Sequence, residues 1–386
     1  MQKKVTFVTH VCTHYTIKLF ELLSEKHKFK FYFTGSGRNY RDKNNEVPCG
    51  NFDGKYLKGV FIFPKFGMTF GLFKILFEKQ DIFIKTIVDR FALPFVFLVA
   101  KILIKPFILW TGMWMHPNTF FHKISYGFTK FIYRHSDAII VYGEHVKRYL
   151  VGLGIDTEKI FIAPHSVDNT LFDLTASDVE KSQLKKNLGL NGGKIILCVG
   201  RLEECKGHKY LIEAIAMIKD IPVTLLLIGR GSKKDALEQQ CKSSSIKYRF
   251  LGYVPNDQLY RYFSIAEIFV LPSITTKDFK EPWGLVINEA MNQGCPIIAT
   301  DAVGAAAGGL VENGKNGLIV PEKNSLALKE AIEALLRDQK LRDQMSQSSR
   351  ERIKKWSIEK MVTGFISAID FVSQPPQKDS VGLFQS

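Results

Sequence analysis

Short apolar runs rich in β-branched residues alternate with amphipathic stretches along most of the chain. In the first half KVTFVTH is followed by a helical pattern near residues 17–24 and then by FKFYFTG. Such alternation predicts parallel strands with helices packed over them. Residues 35–60 are polar and turn-rich and read as a loop with a short excursion. Phe66, Phe70, Phe73 and Phe77 recur at spacings of three and four, which predicts an amphipathic segment over residues 66–80. DIFIKTIV, FILWTG, DAIIVYG and KIFIAP read as further strands, with helices near residues 91–105, 120–134 and 147–150.

The second half repeats the pattern more cleanly. KIILCVG, VTLLLIG, KYRFLG, EIFVLP, PIIAT and GLIVP are short strands, separated by helical patterns such as GHKYLIEAIAMI, DQLYRYFSI, GLVINEAMNQ and SLALKEAIEALLRD. Strands this apolar are expected where both faces of a sheet are covered. The polar, glycine-ended stretch DNTLFDLTASDVEKSQLKKNLGLNGG marks a domain boundary. The division predicted is a first domain over 1–175, a second over 176–355, a helix over 356–372 and a loose tail over 373–386. Trp356, Ile358, Met361, Val362, Phe365 and Ile366 give that last helix one apolar face, expected to pack back on the first domain.

Length supports two cores, since 386 residues exceed what one small core organises. Residues 91–110, FALPFVFLVAKILIKPFILW, are long enough to span a bilayer. However, Lys101 and Lys105 would each cost roughly 2.5–3.5 kcal/mol at its centre, and Pro94 and Pro106 interrupt the run. A buried helix followed by a buried strand is the better reading. MQKKVTFVTHV lacks a long apolar region and a small-residue cleavage site, so it reads as a first strand. Six cysteines without any C-x-x-C pair argue against a disulfide framework and fit a reducing, cytoplasmic compartment.

The net charge is +15, and it is uneven. Residues 1–190 hold 27 Lys and Arg against 16 Asp and Glu, whereas the rest holds 26 against 22. Of 30 phenylalanines, 23 lie in that first half. A basic, Phe-rich half suits an anionic membrane surface or an anionic substrate; a Phe-filled core beneath a solvated lysine surface is the competing account. PKFGMTFGLFKILFEKQ, with Lys65, Lys74 and Lys79 among Phe and Leu, is the stretch most suited to an anionic interface. No nucleic-acid-reading motif accompanies the basic residues.

Three motifs of the second half carry chemistry. GRLEECKG places Gly200, Arg201 and Lys206 between a strand and a helix, where such folds seat anions. EPWGLVINEAM carries Glu281 and, eight residues on, Glu289, on either side of a helix start whose free amides are those of Gly284 and Leu285. Carboxylates accept hydrogen bonds from sugar hydroxyls, so this pair suits a ligand with hydroxyls at both ends and phosphates between. Gly229 and Gly231 in IGRGS, and Gly252 with Tyr253 and Val254 in FLGYV, follow strand ends on the ligand-binding edge of a doubly wound sheet.

GRLEECKG, LLLIGRG, FLGYVP, FVLPS, EPWGLVINEAM, the PIIAT strand and NGLIVP, in that order, resemble retaining glycosyltransferase family 4, of the GT-B fold. The resemblance covers residues 194–372 and extends back to about 137. It implies two Rossmann-like, doubly wound α/β domains facing across a cleft. It implies a nucleotide-sugar donor, UDP-sugar before GDP-mannose, with no further cofactor and no metal. Arg201 and Lys206 would offset charge on the departing diphosphate. Glu281 would hydrogen-bond the donor sugar, with the Gly284 and Leu285 amides nearby. Glu289 would hold the ribose, and Gly252, Tyr253 and Val254 would line the base pocket. The acceptor expected is a glycan or lipid-linked sugar at the inner face of the cell membrane.

The chain departs from that family in places. THVCTHYTI lacks the glycine pair near the donor phosphates, and His165-Ser166 stands where Asn-Gly is usual. His116, in WTGMWMHPN, is the nearest counterpart of the family's cleft histidine; a structural histidine is the equal alternative. His10 and His14 lie in the first strand–helix loop, either facing the acceptor or serving as plain loop residues. The readings set beside this one are a mannosyltransferase using GDP-mannose, a non-transferase GT-B enzyme such as a sugar-nucleotide epimerase, and a non-catalytic binding protein.

Overall fold

The computed structural model describes residues 2–35, 50–63, 66–190 and 192–374, with side chains except at 60–67 and 121. The first domain contributes β1 (Lys4–Thr9), β2 (Lys28–Phe33), β3 (Gly54–Tyr56), the antiparallel pair β4 (Val60–Phe63) and β5 (Phe66–Met68), β6 (Ile82–Thr86), β7 (Phe107–Thr111), β8 (Ala138–Val141) and β9 (Ile160–Ile162). The second contributes β10 (Lys194–Val199), β11 (Val223–Ile228), β12 (Lys247–Leu251), β13 (Ile268–Leu271), β14 (Ile297–Thr300) and β15 (Gly317–Val320).

Both large sheets are parallel throughout, in the orders β3-β2-β1-β6-β7-β8-β9 and β12-β11-β10-β13-β14-β15. Each order reverses once, between β1 and β6 and between β10 and β13. At such a reversal the loops leaving neighbouring strands turn to opposite faces and open a crevice at the strands' carboxyl ends. The strands are buried because helices cover both faces, which is why their sequences run apolar rather than alternating.

One face of the first sheet is covered by helices Ala92–Ile102, Phe120–His135 and Glu144–Gly152. The other is covered by helix His14–Lys26 and by the last helix, Ile358–Ser373, which returns from the second domain. Gly364 makes that return possible: an added Cβ there would overlap the Ile162 carbonyl and Ala163. Ile358, Met361, Val362 and Phe365 of this helix are buried in the first domain's core, and Ile366 packs against it.

Four local expectations are corrected. Trp356 lies before the Ser357 cap and packs in the second domain, its ring 6.0 Å from Trp283, not on the first. Residues 66–80 form β5 and a 3-10 turn, Phe70–Leu76; Leu72 and Ile75 are its buried residues, while Phe70, Phe73 and Phe77 are exposed. The polar boundary stretch contains a helix, Asp178–Asn187, capped by the reciprocal Ser177 and Glu180 bonds, and it packs with the second domain. The charged run before Trp356 is likewise helical, Gln339–Lys354, with Met345 and Ile353 turned into the second domain's core. Lys65, most of the 35–60 stretch and most of the 373–386 tail lie outside the described residues.

Candidate active site at the interdomain cleft

β10 ends at Val199, and the chain turns through Gly200 and exposed Arg201 into a 3-10 turn, Glu204–Lys206. Gly207 then adopts φ +65°, and an added Cβ would overlap the Pro272 carbonyl, so the backbone lies tight against the end of β13. That approach places Lys206 Nζ on Glu281 Oε2 in an ion pair. Ser273 Oγ donates to the same carboxylate oxygen at 3.1 Å. Both charged side chains are largely buried, at 12% and 8% exposure. Paired charges this dry interact strongly, and separating them is costly. The pair sits where the second sheet reverses its strand order.

The backbone of Glu281 is held from both domains. Its carbonyl accepts from the Gly304 amide at 3.1 Å and from the Trp114 indole N–H of the first domain at 2.9 Å. His145, also of the first domain, donates from Nε2 to the Pro282 carbonyl at 2.9 Å, which fixes its tautomer. Its ring lies between Trp114 and Trp283, and burial lowers its pKa to about 4. The Lys280 ammonium lies 3.8 Å from the centre of the Trp114 ring.

Glu289 occupies a separate station. Gly284, at φ +91°, leaves no room for a Cβ beside Leu271, and Leu285 then caps helix Val286–Asn292, which starts two residues later than its sequence suggests. Glu289 lies inside this helix, buried, and burial raises its carboxyl pKa to about 8. It lines an interdomain cavity of about 820 Å³ together with Asp168, Tyr253, Asn256, His14 and Tyr15. Asn256 Nδ2 donates to His14 Nε2 at 2.6 Å across the domains, and burial lowers the His14 pKa.

The remaining candidates fall into different roles. Gly229 and Gly231 are required by backbone approach: an added Cβ would overlap the carbonyls of Gly200 and Leu202 respectively. Tyr253 lies 5.9 Å from the Arg230 guanidinium and lines the cavity, Gly252 is exposed beside it, and Val254 packs on the second domain's core. His116 donates from Nε2 to the His122 carbonyl at 2.7 Å and its ring packs on Tyr126, both contacts within the first domain. His10 lies 3.5 Å from the Thr34 hydroxyl. His165 stacks on Tyr142 at 4.2 Å and is buried, which lowers its pKa to about 3.

Sequence reasoning missed Trp114, His145 and Ser273. Trp114 stands two residues from His116 in the loop already singled out, and Ser273 ends the FVLPS motif. His145 lies in YGEHVKRYL with no local signal, because its partner is 137 residues away. Among the described residues, no cluster of His, Cys, Asp or Glu could hold a metal ion.

This architecture is the GT-B fold: two Rossmann-like domains with parallel sheets facing across a cleft. The fold superposes on HepE of Anabaena, solved in complex with UDP, with a TM-score of 0.75 over 96% of this chain and 100% of that one, at 17% identity. Residues 180–352, which hold the Lys206–Glu281 pair and Glu289, match the model of the glycosyl transferases group 1 family. An uncharacterized glycosyltransferase of Methanocaldococcus jannaschii is 30% identical over 203 residues, 51% of this chain and 50% of that protein. A phosphatidyl-myo-inositol mannosyltransferase of Mycobacterium leprae is 32% identical over 171 residues, 43% of this chain and 44% of its own length. The chain thus spans about half the length of the curated relatives it matches.

Proposed function

We propose that this protein transfers a sugar from a nucleotide-sugar donor, a UDP-sugar first, to a glycan or lipid-linked acceptor, retaining the anomeric configuration. The observation that carries this reading is the buried Lys206–Glu281 pair at the reversal of the second sheet, close in sequence to Glu289, which lines the interdomain cavity. Lys206 and Arg201 supply positive charge where the diphosphate leaves, which is electrostatic stabilisation without a metal. Glu281, aligned by Ser273 and Lys206, accepts from the donor sugar's hydroxyls. Glu289 accepts from the ribose, and Tyr253 with its neighbours borders the base.

The acceptor hydroxyl forms the new bond to the anomeric carbon on the face the diphosphate leaves. The broken bond's electron pair departs on the diphosphate, and the hydroxyl proton passes to a leaving-phosphate oxygen. No protein nucleophile is assigned, because Glu281 is engaged by Lys206 and Ser273. The UDP in the HepE structure supports the uridine donor. The Mycobacterium leprae relative's name favours a second reading, a mannosyl donor and a lipid acceptor.

The test is a donor panel of UDP-glucose, UDP-galactose, UDP-N-acetylglucosamine and GDP-mannose. A true donor should raise the thermal midpoint, about 2.7 kcal/mol of stabilisation at a hundredfold excess over Kd, and should release nucleoside diphosphate. Product NMR reads the anomeric outcome. A panel in which nothing binds and nothing is released overturns the proposal, and an inverted product overturns the retaining mechanism.

A further inference from the structure

We propose that the helical layer over one face of the first sheet is a docking surface for an anionic lipid bilayer, and that it seats the protein with the edge of its cleft at the membrane. This goes beyond the reading of the cleft and does not depend on it. Of the nineteen large hydrophobic side chains exposed among the described residues, twelve lie between residues 70 and 151. They belong to the layer formed by the Phe70–Leu76 turn and helices Ala92–Ile102, Phe120–His135 and Glu144–Gly152, together with the connections beside them. Helices His14–Lys26 and Ile358–Ser373, on the opposite face of the same sheet, expose only Phe371 among such residues.

The layer is continuous. Phe73 packs on Phe95 at 5.0 Å, and Phe97 on Phe131 at 6.0 Å, joining the turn to the first helix and the first helix to the second. On helix Phe120–His135, Ile124, Phe128 and Phe131 follow at spacings of four and three, which puts them on one side of the helix. Ile124 is 69% exposed, Ile102 72%, Phe77 88% and Ile104 91%. Ile104 also takes φ +52°, a left-handed conformation that a β-branched residue rarely adopts. An isoleucine held this far out of the fold leaves nearly all of its apolar surface in water, a cost that an apolar environment would remove.

Charge selects the occupant. Residues 90–135 contain six basic residues, Arg90, Lys101, Lys105, Lys123, Lys130 and Arg134, and no Asp or Glu at all. Lys101 is paired with Asp137 at 2.8 Å, just beyond that stretch. Over the whole layer, residues 70–152, eleven basic residues stand against five acidic ones, and an apolar face bordered by such a cationic excess complements an anionic headgroup layer with acyl chains beneath it. Each basic side chain near such a surface raises partitioning roughly fivefold. No helix among the described residues is long and apolar enough to cross a membrane, so the contact is one of surface insertion.

The layer also meets the cleft. The Asn118 amide, immediately before helix Phe120–His135, donates to the Lys277 carbonyl of the second domain at 2.7 Å. Lys277 lies four residues before Glu281 in the chain. The helix that carries the apolar face therefore starts at the boundary between the domains. A bilayer touching it would bring an embedded acceptor to the cleft's edge.

The experiment is cosedimentation of the full chain with vesicles of phosphatidylcholine alone, or of phosphatidylcholine and phosphatidylglycerol in equal parts. Binding should require phosphatidylglycerol and weaken with added salt. Ile124→Ser with Phe128→Ser, and separately Lys123→Glu with Lys130→Glu, should each lower partitioning at least tenfold while leaving the thermal midpoint and soluble-donor turnover unchanged. The proposal is overturned if the wild type stays in the supernatant with anionic vesicles at low salt, or if it binds neutral vesicles equally. It is equally overturned if both variants sediment like the wild type. A stable dimer in sedimentation velocity that the Ile124→Ser, Phe128→Ser variant dissociates would also overturn it, since the face would then belong to a second copy. None of these readouts depends on glycosyl transfer.

Discussion

The indole N–H of Trp114, in the first domain, donates to the backbone carbonyl of Glu281, in the second, at 2.9 Å. The residue whose carboxylate meets Lys206 is thereby located by the opposite domain. Trp114→Phe keeps an aromatic ring for Lys280 and His145 but removes the donor. A net loss of about 1 kcal/mol is expected for one such hydrogen bond, read as roughly a fivefold fall in kcat with little change in donor KM. Steady-state kinetics in which donor KM alone rises would mean that Trp114 holds the domains together without placing Glu281.

Lys206→Ala removes the cation of the buried pair. Transition-state stabilisation should fall by on the order of 2.7–4 kcal/mol, the range for deleting one strong electrostatic group. The free protein should also melt lower, because the largely buried Glu281 carboxylate loses its counter-charge. Combining Lys206→Ala with Glu281→Gln separates the two effects: the melting temperature should recover, and the rate should not. A double variant that regains turnover would remove Lys206 from the chemistry.

Glu289 makes stability depend on pH in a direction unusual for a carboxylate. Its native pKa is raised from 4.5 to about 8 by burial. Between those values the folded chain holds a proton that the unfolded chain has released. The stability this group contributes is therefore full below pH 4.5 and is lost as pH rises through about 8. The slope cannot exceed about 1.4 kcal/mol per pH unit. Glu289→Gln cannot ionise, so without ligand it should equal the wild type near pH 5 and exceed it near pH 8. Donor KM should rise in the same variant. Denaturant titrations at the two pH values check the first expectation, and parallel melting curves at both would contradict it.

Much of this site is legible in the chain because its parts are local. Strand, turn and helix around Lys206 and around Glu281 each lie within a dozen residues, and their apolar runs and glycines mark the turns. The two charged motifs could be named, but their ion pair could not, since it depends on which strands become neighbours in the sheet. Trp114 and His145 act across the domains on backbone carbonyls, which carry no side-chain signal at all. The glycines of IGRGS answer to a constraint that their spacing does not spell out: Gly229 and Gly231 are demanded by close passage of the β10 and β11 loops. The 3-10 turn at Phe70–Leu76 shows why periodicity alone misleads: its aromatic face points outward because Leu72 and Ile75 already fill the core side.

The last helix offers a test of how the two domains are joined. Gly364 lies at the contact between helix Ile358–Ser373 and the end of β9, where an added Cβ would overlap the Ile162 carbonyl and crowd Ala163. The helix also contributes Phe365 and Ile369, both fully buried, to the first domain's core. At the crossing, Asn169 Nδ2 donates to the carbonyls of Ile353 at 3.1 Å and Trp356 at 3.3 Å, tying the outgoing and returning segments together. Gly364→Val should therefore push the helix off the sheet, at a cost of about 1–3 kcal/mol for overpacking. With the helix displaced from the first domain, the Trp114–Glu281 and Asn256–His14 contacts across the cleft should loosen. The expected signature is a lower melting temperature together with a raised donor KM, and small-angle scattering should record a larger radius of gyration. Lys360→Ala, on the exposed side of the same helix, is the neutral comparison and should change none of the three. A Gly364→Val protein with unchanged melting and kinetics would mean that the helix merely rests on the first domain and does not set its position.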